Sequence, residues 1–258
     1  MTHPALSLCV ITFNEERHIE RCLRSVPFAA DVVVLDSLST DRTVEIARSC
    51  GARVVVEPFR GHVEQKARAV ALAAHDWVLC LDADERLSAD LAAAIPGRLE
   101  RDAGRYQGYE LCRHTFYLGA WINHGGWFPE WRLRLFDRRR GGWTGVDPHD
   151  RVAVDGPVSR ITGGEIAHHA YRDLSHHIAK VNGYTTLMAS RRHERGERFA
   201  WHKLLLHPLG RFVRMFVLRQ GFRDGWRGFL LAVIAAFYVF LKYAKLLALE
   251  RTAASDDR

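Results

Sequence analysis

The sequence contains no paired-cysteine motif of the kind that indicates a disulfide framework. It has five cysteines, an odd number, and no two of them form a CxxC spacing. Cys9 and Cys80 lie inside apolar runs, where a free cysteine serves as a small hydrophobic residue. We therefore interpret the cysteines as reduced, which fits a protein of the cytosol.

An export signal is also missing from the start of the chain. MTHPALSLCVITFNEE has no basic start, no long apolar stretch and no cleavage site of small residues. Its short apolar run instead predicts a first β-strand. We expect the protein to remain in the cytoplasm.

Motifs that would indicate a metalloprotease or a nucleic-acid-binding domain are likewise absent from the sequence. The 14 histidines show no HExxH or other metal-ligand spacing. We interpret His168–His169 and His176–His177 as structural or surface residues. No RNP, zinc-finger or helix-turn-helix signature occurs, so we expect no nucleic-acid partner.

What the sequence does contain is an excess of positive charge. The net charge of +7 predicts an anionic partner, either nucleic acid, a membrane surface or a phosphorylated substrate. Within 191–227, ten lysines and arginines face three acidic residues, and the uncharged run GFLLAVIAAFYVFL (228–241) follows. This run is shorter than the ~20 residues of a spanning helix. It predicts a helix that lies at an anionic membrane surface, or alternatively one that packs on the rest of the protein.

Residues 6 to about 90 alternate between strand and helix patterns. Short apolar runs at 6–12, 31–36, 52–58 and 77–85 predict strands, and 14–26, 39–51 and 62–76 have helical spacing. Such alternation indicates an α/β fold with a mostly parallel sheet that helices cover on both faces. Functional groups of such sheets lie at the carboxyl ends of the strands.

The composition changes after about residue 105. Strand-like pieces at 109–118 and 131–139 predict an α+β extension of the first sheet. From about residue 173 the chain is expected to be helical almost to its end.

The segment LDADE places two aspartates, Asp82 and Asp84, at the end of a predicted strand. Residues at i and i+2 of a strand point to the same face, so the two carboxylates repel each other unless a cation neutralises them. Mg²⁺ or Mn²⁺ prefers such oxygen ligands and would also hold a diphosphate. The alternative is a solvated acidic turn before a helix capped by Ser88.

Asp36 ends the neighbouring predicted strand. A lone aspartate at this place often caps the next helix. Ser39 and Asp41 are alternative caps, which would leave Asp36 available to accept hydrogen bonds from a base or a ribose.

These motifs resemble a known family. VITFNEERHIERCLRSV, VVVLDSLSTDRTVEIA and DWVLCLDADE follow the pattern and order of family 2 glycosyltransferases. GGWFPEWRLRLFDRR, HPLGRFVRMFVLRQGFRDGWRGF and FLKYAK resemble the bacterial lipopolysaccharide-core β-1,4-glucosyltransferase subgroup. The resemblance implies a GT-A (Rossmann-like) catalytic domain at 1–172. Its nucleotide-binding half would be about 1–105 and its acceptor half about 106–172, with a helical, membrane-associating extension at 173–258.

The resemblance also implies an activity. The protein would be an inverting enzyme that transfers a hexose, with glucose as the favoured sugar, from a UDP-sugar to a lipid-linked saccharide. It implies donor contacts from a set of residues at the strand ends and on the third helix: Thr12, Phe13, Glu15, Asp36, Gln65, Lys66, Asp82 and Asp84. Asp84 would ligate the metal, and Lys66 would neutralise the diphosphate. Glu85 would support the turn or face the donor sugar.

Two carboxylates compete for the role of catalytic base. Asp150, in PHDRV, stands where the subgroup has His-Glu, and its side chain is one methylene shorter than that of the usual glutamate. Glu130, in WFPEWR, stands where the subgroup often has an acid. His149 is a further candidate metal or phosphate contact, or a plain loop residue.

Arg132 and Arg134 alternate along WRLRLF and are expected to face one side of a strand, where Arg134 would bind phosphate. A solvated strand face is the alternative. Trp121, Trp127, Trp131 and Trp143 surround this segment and serve either sugar binding or packing.

Two other function classes remain open from the sequence alone. A nucleic-acid-binding protein would account for the positive charge, and a sugar nucleotidyltransferase also places acids at strand ends. The latter needs a glycine-rich basic loop after its first strand, whereas this chain has the acidic TFNEE.

Overall fold

The computed structural model describes residues 4–102, 104–146 and 149–256; at 149 and 253–256 it describes the backbone alone. The chain forms two compact units. Unit 1 comprises Met1–His114 and Glu130–His169, and unit 2 comprises Thr115–Pro129 and Ala170–Arg258. The segment 115–129, expected in the acceptor half of the catalytic domain, therefore belongs to the same compact unit as the C-terminal helices.

Unit 1 alternates strands and helices through its first hundred residues. The strands are β1 (Leu6–Thr12), β2 (Asp31–Asp36), β3 (Arg53–Val56), β4 (Trp77–Asp82) and β5 (Glu85–Leu87). The helices are α1 (Ile19–Arg24), α2 (Thr43–Ser49), α3 (His62–Ala71) and α4 (Ala89–Arg101). The later strands are β6 (Gly108–Tyr117), β8 (Glu130–Asp137), β9 (Gly141–Val146), β10 (His149–Val154) and β11 (Val158–His168). The end of β6 continues into unit 2, where it pairs with β7 (Ala120–Trp121).

The main sheet of unit 1 has the order β3-β2-β1-β4-β8-β6-β11-β5. The first four strands are parallel, and β8 pairs antiparallel with both β4 and β6. Alternate residues of β1 face opposite sides, with Leu8 and Val10 in one apolar core and Cys9 in the other. The expected α/β fold is thus confirmed. The sheet, expected to be mostly parallel, is parallel over β3-β2-β1-β4 and antiparallel where β8 joins β4 and β6.

The strands agree closely with the sequence patterns, but the helices are shorter than expected. Helix α1 begins at Ile19 instead of residue 14 because the preceding backbone is held by another loop. The Asn14 amide donates to Ser39 Oγ and the Glu15 amide donates to Thr43 Oγ1, both at 2.8 Å. The expected strand 77–85 ends at Asp82, where the chain turns before β5.

Unit 2 is largely helical. It contains α5 (Leu174–Glu194), α6 (Trp201–Val213), a π-helical turn (Arg214–Leu218), a 3-10 turn (Gly221–Asp224) and α7 (Gly225–Asp256). Its helices share a small apolar core formed by Ala189, Leu204, Tyr243 and Leu246. By length and composition alone, the helical stretch Gly221–Thr252 could cross a membrane.

Candidate active site

The carboxyl ends of three adjacent parallel strands bring the first predicted residues together. In the strand register, Thr12 is opposite Asp36, and Ile11 is opposite Asp82. Thr12 is buried, and its Oγ1 has no hydrogen-bond partner among the described residues. The next residue, Phe13, is exposed. The sheet therefore places a buried hydroxyl, two carboxylates and an accessible aromatic ring along one edge.

Asp36, expected to be available for a base or a ribose, is already bonded to Ser39. One of its carboxylate oxygens accepts the Ser39 amide at 2.8 Å, and the other accepts the Ser39 hydroxyl. Aspartate commonly bonds to backbone groups shortly after it in this manner. Of the two alternative caps, Ser39 therefore bonds to Asp36. Asp41 instead accepts from the Thr43 amide at the start of α2. A carboxylate has about four lone-pair sites, so Asp36 retains capacity for a ligand.

Helix α3 carries two buried polar side chains toward the sheet. The Gln65 amide donates to Ser37 Oγ at 3.1 Å. Lys66 Nζ lies 2.9 Å from Asp82 Oδ1 and 2.8 Å from Asp150 Oδ2. Burial would lower the pKa of Lys66, but the two carboxylates outweigh it and raise that pKa. Lys66 is therefore a charged bridge between a strand end and Asp150.

Arg134 lies on the other side of Asp82. Its Nη2 lies 3.0 Å from Asp82 Oδ2 and 2.9 Å from Glu85 Oε1. Desolvation alone would raise the pKa of Asp82, but the charges of Lys66 and Arg134 hold it well below its usual range. Both oxygens of Asp82 are thus occupied by cations, and Asp82 is already neutralised without a metal.

The two arginines of WRLRLF have different surroundings. Arg132 is exposed and pairs with Glu130, whereas Arg134 is buried within the acidic cluster. The Nε and Nη1 atoms of Arg134 have no hydrogen-bond partner in the described part of the chain, and its guanidinium lies 5.5 Å from the Trp143 ring. A phosphate-binding role for Arg134 stays a prediction.

The LDADE turn is held by Glu85, which is fully buried. Glu85 Oε2 accepts the Asp82 amide at 3.0 Å, so Glu85 supports the turn, one of its two expected roles. Its other carboxylate oxygen lies 3.2 Å from Arg113 Nη1. No motif pointed to Arg113, because its partners are distant in sequence.

Asp84 differs from Asp82 in its surroundings. Its Oδ2 lies 3.6 Å from His168 Nε2, and its carbonyl accepts the His169 amide at 2.9 Å. The sequence predicts a structural or surface role for His168, yet the pairing of β5 with β11 brings it beside Asp84, the candidate metal ligand. The side chain of His149, the other expected metal contact, lies outside the described residues.

The donor set at Asp84 suits a divalent ion that is shared with a substrate. Among the described residues, no three His, Cys, Asp or Glu side chains are grouped to hold a metal. Asp84 and His168 offer one carboxylate and one imidazole, close enough to serve the same ion. Mg²⁺ typically takes one or two protein carboxylates and completes its shell with phosphates and water. The residues present fit such an ion.

The two candidate bases occupy different ion pairs. Burial would raise the pKa of Asp150, but Lys66 outweighs it and lowers that pKa. Burial acts likewise on Glu130, whose pKa is lowered by Arg113 and Arg132. Both side chains are therefore carboxylates at neutral pH, the state a base requires.

Glu15, the remaining donor candidate, lies in the loop after β1. Its Oε2 is 2.7 Å from His18 Nδ1, and the His18 ring stacks on that of His169 with ring centres 5.9 Å apart. This contact links the first loop of the sheet to the histidine pair beside Asp84. The spacing of a motif along the sequence could not predict this contact, since it depends on the strand order.

Comparison with known proteins identifies the family. The profile described as glycosyl transferase family 2 matches residues 7–146. The lipopolysaccharide core biosynthesis glycosyltransferase LpsC of Rhizobium meliloti is 31% identical over 252 residues, which cover 93% of this chain and 91% of that protein. A glycosyltransferase of Rickettsia typhi is 32% identical over 251 residues, covering 93% and 86%.

Among solved structures, glucosyl-3-phosphoglycerate synthase from Mycobacterium tuberculosis is similar to part of the chain. That enzyme, in complex with Mn²⁺, UDP and glucosyl-3-phosphoglycerate, matches with a TM-score of 0.35 and 29% identity over 45% of each chain. Taken with the profile and the two full-length relatives, the sequence motifs and the strand-end site lead to one assignment: the chain belongs to glycosyltransferase family 2.

Proposed function

We propose that this glycosyltransferase transfers a hexose, with glucose as the favoured sugar, from a UDP-sugar to a lipid-linked saccharide such as the inner core of lipopolysaccharide. The single observation that carries the proposal is the cluster that Lys66, Arg134 and Asp150 form around Asp82, at the carboxyl end of the parallel strand β4. The similarity to a lipopolysaccharide core enzyme supports the acceptor class. Family membership favours sugar transfer over nucleotidyl transfer and nucleic-acid binding.

The nucleotide would lie along the edge formed by β2, β1 and β4. Asp36 retains lone pairs for the base or ribose, and the buried Thr12 hydroxyl has no partner among the described residues. A buried polar atom without a partner costs about 1–3 kcal/mol, so a ligand that satisfies it gains affinity. Phe13 and Glu15 would border the nucleotide from the following loop.

A divalent ion, Mg²⁺ or Mn²⁺, would be held by Asp84 and His168. When bound, such an ion stabilises the negative charge that develops on the leaving diphosphate. Asp82 is the poorer ligand because Lys66 and Arg134 already occupy its oxygens. The two aspartates would thus have different roles: Asp82 would hold Lys66 and Arg134 in place, and Asp84 would bind the divalent ion.

Lys66 would connect donor binding with the base. In the structure its ammonium group is shared by Asp82 and Asp150. A diphosphate near Lys66 would compete for that ammonium group and weaken its hold on Asp150. Asp150 would then accept the proton of the acceptor hydroxyl more readily, and Lys66 would stabilise the leaving group. Glu130 is the alternative base, and its pairing with two arginines makes it the weaker proton acceptor.

The acceptor class implies a place of action. An enzyme that uses a lipid-linked saccharide and a cytoplasmic nucleotide sugar works at the inner face of the cytoplasmic membrane, bound at its anionic surface. The basic and apolar C-terminal part of the chain is suited to that surface.

A panel of nucleotide sugars tests the proposal. The purified protein is incubated with UDP-glucose, UDP-galactose or UDP-N-acetylglucosamine, each with Mn²⁺, Mg²⁺ or chelator, and release of UDP is measured. We expect metal-dependent hydrolysis, fastest with UDP-glucose. Asp84→Asn should reduce it by about a thousandfold, because charge on the leaving group loses its stabilisation.

Asp90→Asn is the matched control, because Asp90 is an exposed aspartate of the same unit and lies outside the site. It should keep full activity. Normal turnover by Asp84→Asn would overturn the metal assignment, and failure to hydrolyse any UDP-sugar would overturn the donor class.

A further inference from the structure

Helix α6 of unit 2 carries an exposed apolar face. Trp201, Leu205 and Leu209 are 60%, 64% and 61% exposed. They follow one another at intervals of four residues, as does Val213, so they lie on one side of the helix. Leu206 adds a further exposed leucine next to them. Large side chains of this kind are buried in an ordinary globular domain.

The first half of α7 has a second exposed apolar face. Its members recur at helical spacing and are all exposed: Trp226, Phe229, Val233, Phe237 and Phe240. The opposite side of the same helix, with Leu231 and Ile234, is buried. The exposed stripe is about 21 Å long and ends just before Lys242.

Aromatic contacts join the two faces into one surface. The Phe229 ring lies 5.9 Å from that of Phe212 on α6 and 5.6 Å from that of Phe216 in the π-helical turn. Phe216 also contacts Phe222. We name this continuous surface, from Trp201 to Phe240, the docking face. Contiguous apolar surface of this extent usually marks a binding site.

The charge around the docking face has one sign. Residues 201–227 contain six lysines and arginines and a single acid, Asp224. That acid is occupied elsewhere, because its carboxylate accepts the His124 amide at 2.8 Å and contacts the His124 ring. Burial, and then the charges of Arg219 and Arg214, lower the pKa of Arg211, which shows how closely the cations crowd. Anionic headgroups would relieve this repulsion.

The second half of α7 is held differently. Lys245 Nζ donates to the Asn182 carbonyl at 2.7 Å and to Thr185 Oγ1 at 2.9 Å, both on the polar helix α5. Further along, Glu250 accepts the Phe199 amide at 2.7 Å. Immersing this half in lipid would either break these contacts or carry α5 with it. The exposed apolar part of α7 is therefore too short to span a bilayer.

We propose that the docking face inserts into a single leaflet of an anionic phospholipid bilayer, with α6 and the first half of α7 lying along its surface. This inference rests on the proposed function, because a lipid-linked acceptor is what brings the enzyme to a membrane. It adds the residues that contact the lipid. Apolar side chains on a basic helix pair are typical of interfacial binding. The charge complementarity favours lipid over a second copy of this equally basic surface.

Vesicle binding by the full-length protein tests the docking face. Sedimentation is measured with phosphatidylcholine vesicles with and without phosphatidylglycerol, alongside UDP-sugar hydrolysis. Leu205→Gln/Leu209→Gln should weaken binding to the anionic vesicles by about tenfold or more. Leu174→Gln, an exposed leucine of α5, is the control and should bind normally. Equal binding by wild type and the double variant would overturn the proposal.

The charge requirement is tested in the same assay. Arg214→Gln/Arg223→Gln should weaken anionic binding by about fivefold per cation, and the matched pair Arg195→Gln/Arg251→Gln, outside the docking face, should not. Bound protein should be released by alkaline carbonate; resistance to it would indicate a spanning helix and overturn the single-leaflet assignment. A stable dimer that does not bind vesicles would assign the face to a second copy instead.

Activity separates the two proposals. The docking-face variants should hydrolyse the donor sugar at the wild-type rate, because they leave unit 1 unchanged. Vesicle binding without hydrolysis of any UDP-sugar would overturn the proposed donor and still support the docking face as the membrane contact.

Discussion

Units 1 and 2 use positive charge in opposite ways. In unit 1 the cations Lys66 and Arg134 are buried and Arg113 is half-buried, and each of the three lies between two carboxylates. In unit 2 the cations of α6 and the turns after it stand beside exposed leucines and phenylalanines, with one acid among them. The net charge of +7 therefore says little by itself. The position of a cation decides whether it holds the carboxylates of a site in place or is available to bind an anionic surface.

The difference has an energetic consequence. A buried ion pair contributes little over an apolar replacement, yet removing one partner is strongly destabilising because the other charge stays buried. Removing the charge of an exposed cation changes the free energy of unfolding very little, since water already solvates that charge. Substitutions in unit 1 should therefore affect stability first, and equivalent substitutions on the docking face should affect binding alone.

The largest expected effect is that of Arg134→Leu. It leaves Glu85 fully buried with only Arg113 as a cationic partner, and Asp82 with only Lys66. We expect the free energy of unfolding to fall by about 3–5 kcal/mol, measured by urea titration. Arg214→Leu, an exposed arginine of unit 2, should change it by less than about 0.5 kcal/mol.

A double variant checks the cause. Adding Glu85→Gln to Arg134→Leu should cost less than the sum of the two single changes, because the uncompensated charge disappears. If the two effects were additive, the ion pair would not be the source of the loss.

A smaller effect concerns pH and decides between the two candidate bases. Lys66 lowers the pKa of Asp150, whereas Arg113 and Arg132 lower that of Glu130. In Lys66→Met the pKa of Asp150 should rise, because burial then acts on it without the ammonium group. Activity that needs the carboxylate is lost below this pKa, so the acid limb of kcat/KM should move to higher pH.

The measurement is the pH profile of donor hydrolysis over the range in which both proteins stay folded. Hydrolysis by Lys66→Met should also be slower throughout, since the leaving diphosphate loses a cation. An unmoved acid limb at the lower rate would transfer the role of base to Glu130.

Much of unit 1 could be predicted because its strands are local patterns. The apolar runs that became β1 and β2 have the expected bounds, and the LDADE turn follows β4 directly. The lengths of the helices could not be predicted in the same way. Backbone amides of Asn14 and Glu15 donate to side chains about 25 residues later in the sequence. Helix propensity, which is a local property, cannot predict that such bonds replace those of a helix.

The site itself shows the same limit. Asp36, Asp82 and Asp84 were identifiable because each follows an apolar strand. Their partners were not, because Lys66 and Asp150 are 84 residues apart and His168 reaches Asp84 only through the pairing of β11 with β5. Histidine spacing along the chain carried no signal. The strand order was the information needed to interpret His168.

The smallest expected effect compares one helix cap in each unit. Ser88 Oγ accepts the Leu91 amide at 3.3 Å at the start of α4, and also the Glu165 amide of β11 at 3.1 Å. Within the described part of the chain, the Asp173 carboxylate accepts a single amide, that of His176 at 2.7 Å, at the start of α5. Removing a cap costs about 1 kcal/mol.

Ser88→Ala should therefore destabilise the protein by up to about 2 kcal/mol, and Asp173→Ala by about 1 kcal/mol, in thermal unfolding monitored by circular dichroism. The reason for the inequality is the second amide, since Ser88 joins a helix to the sheet whereas Asp173 serves its own helix. Ser88→Thr, which keeps the hydroxyl, should recover most of the loss. Equal losses for the two alanine variants would mean that the contact with β11 contributes nothing, and that both units depend on their caps for helix termination alone.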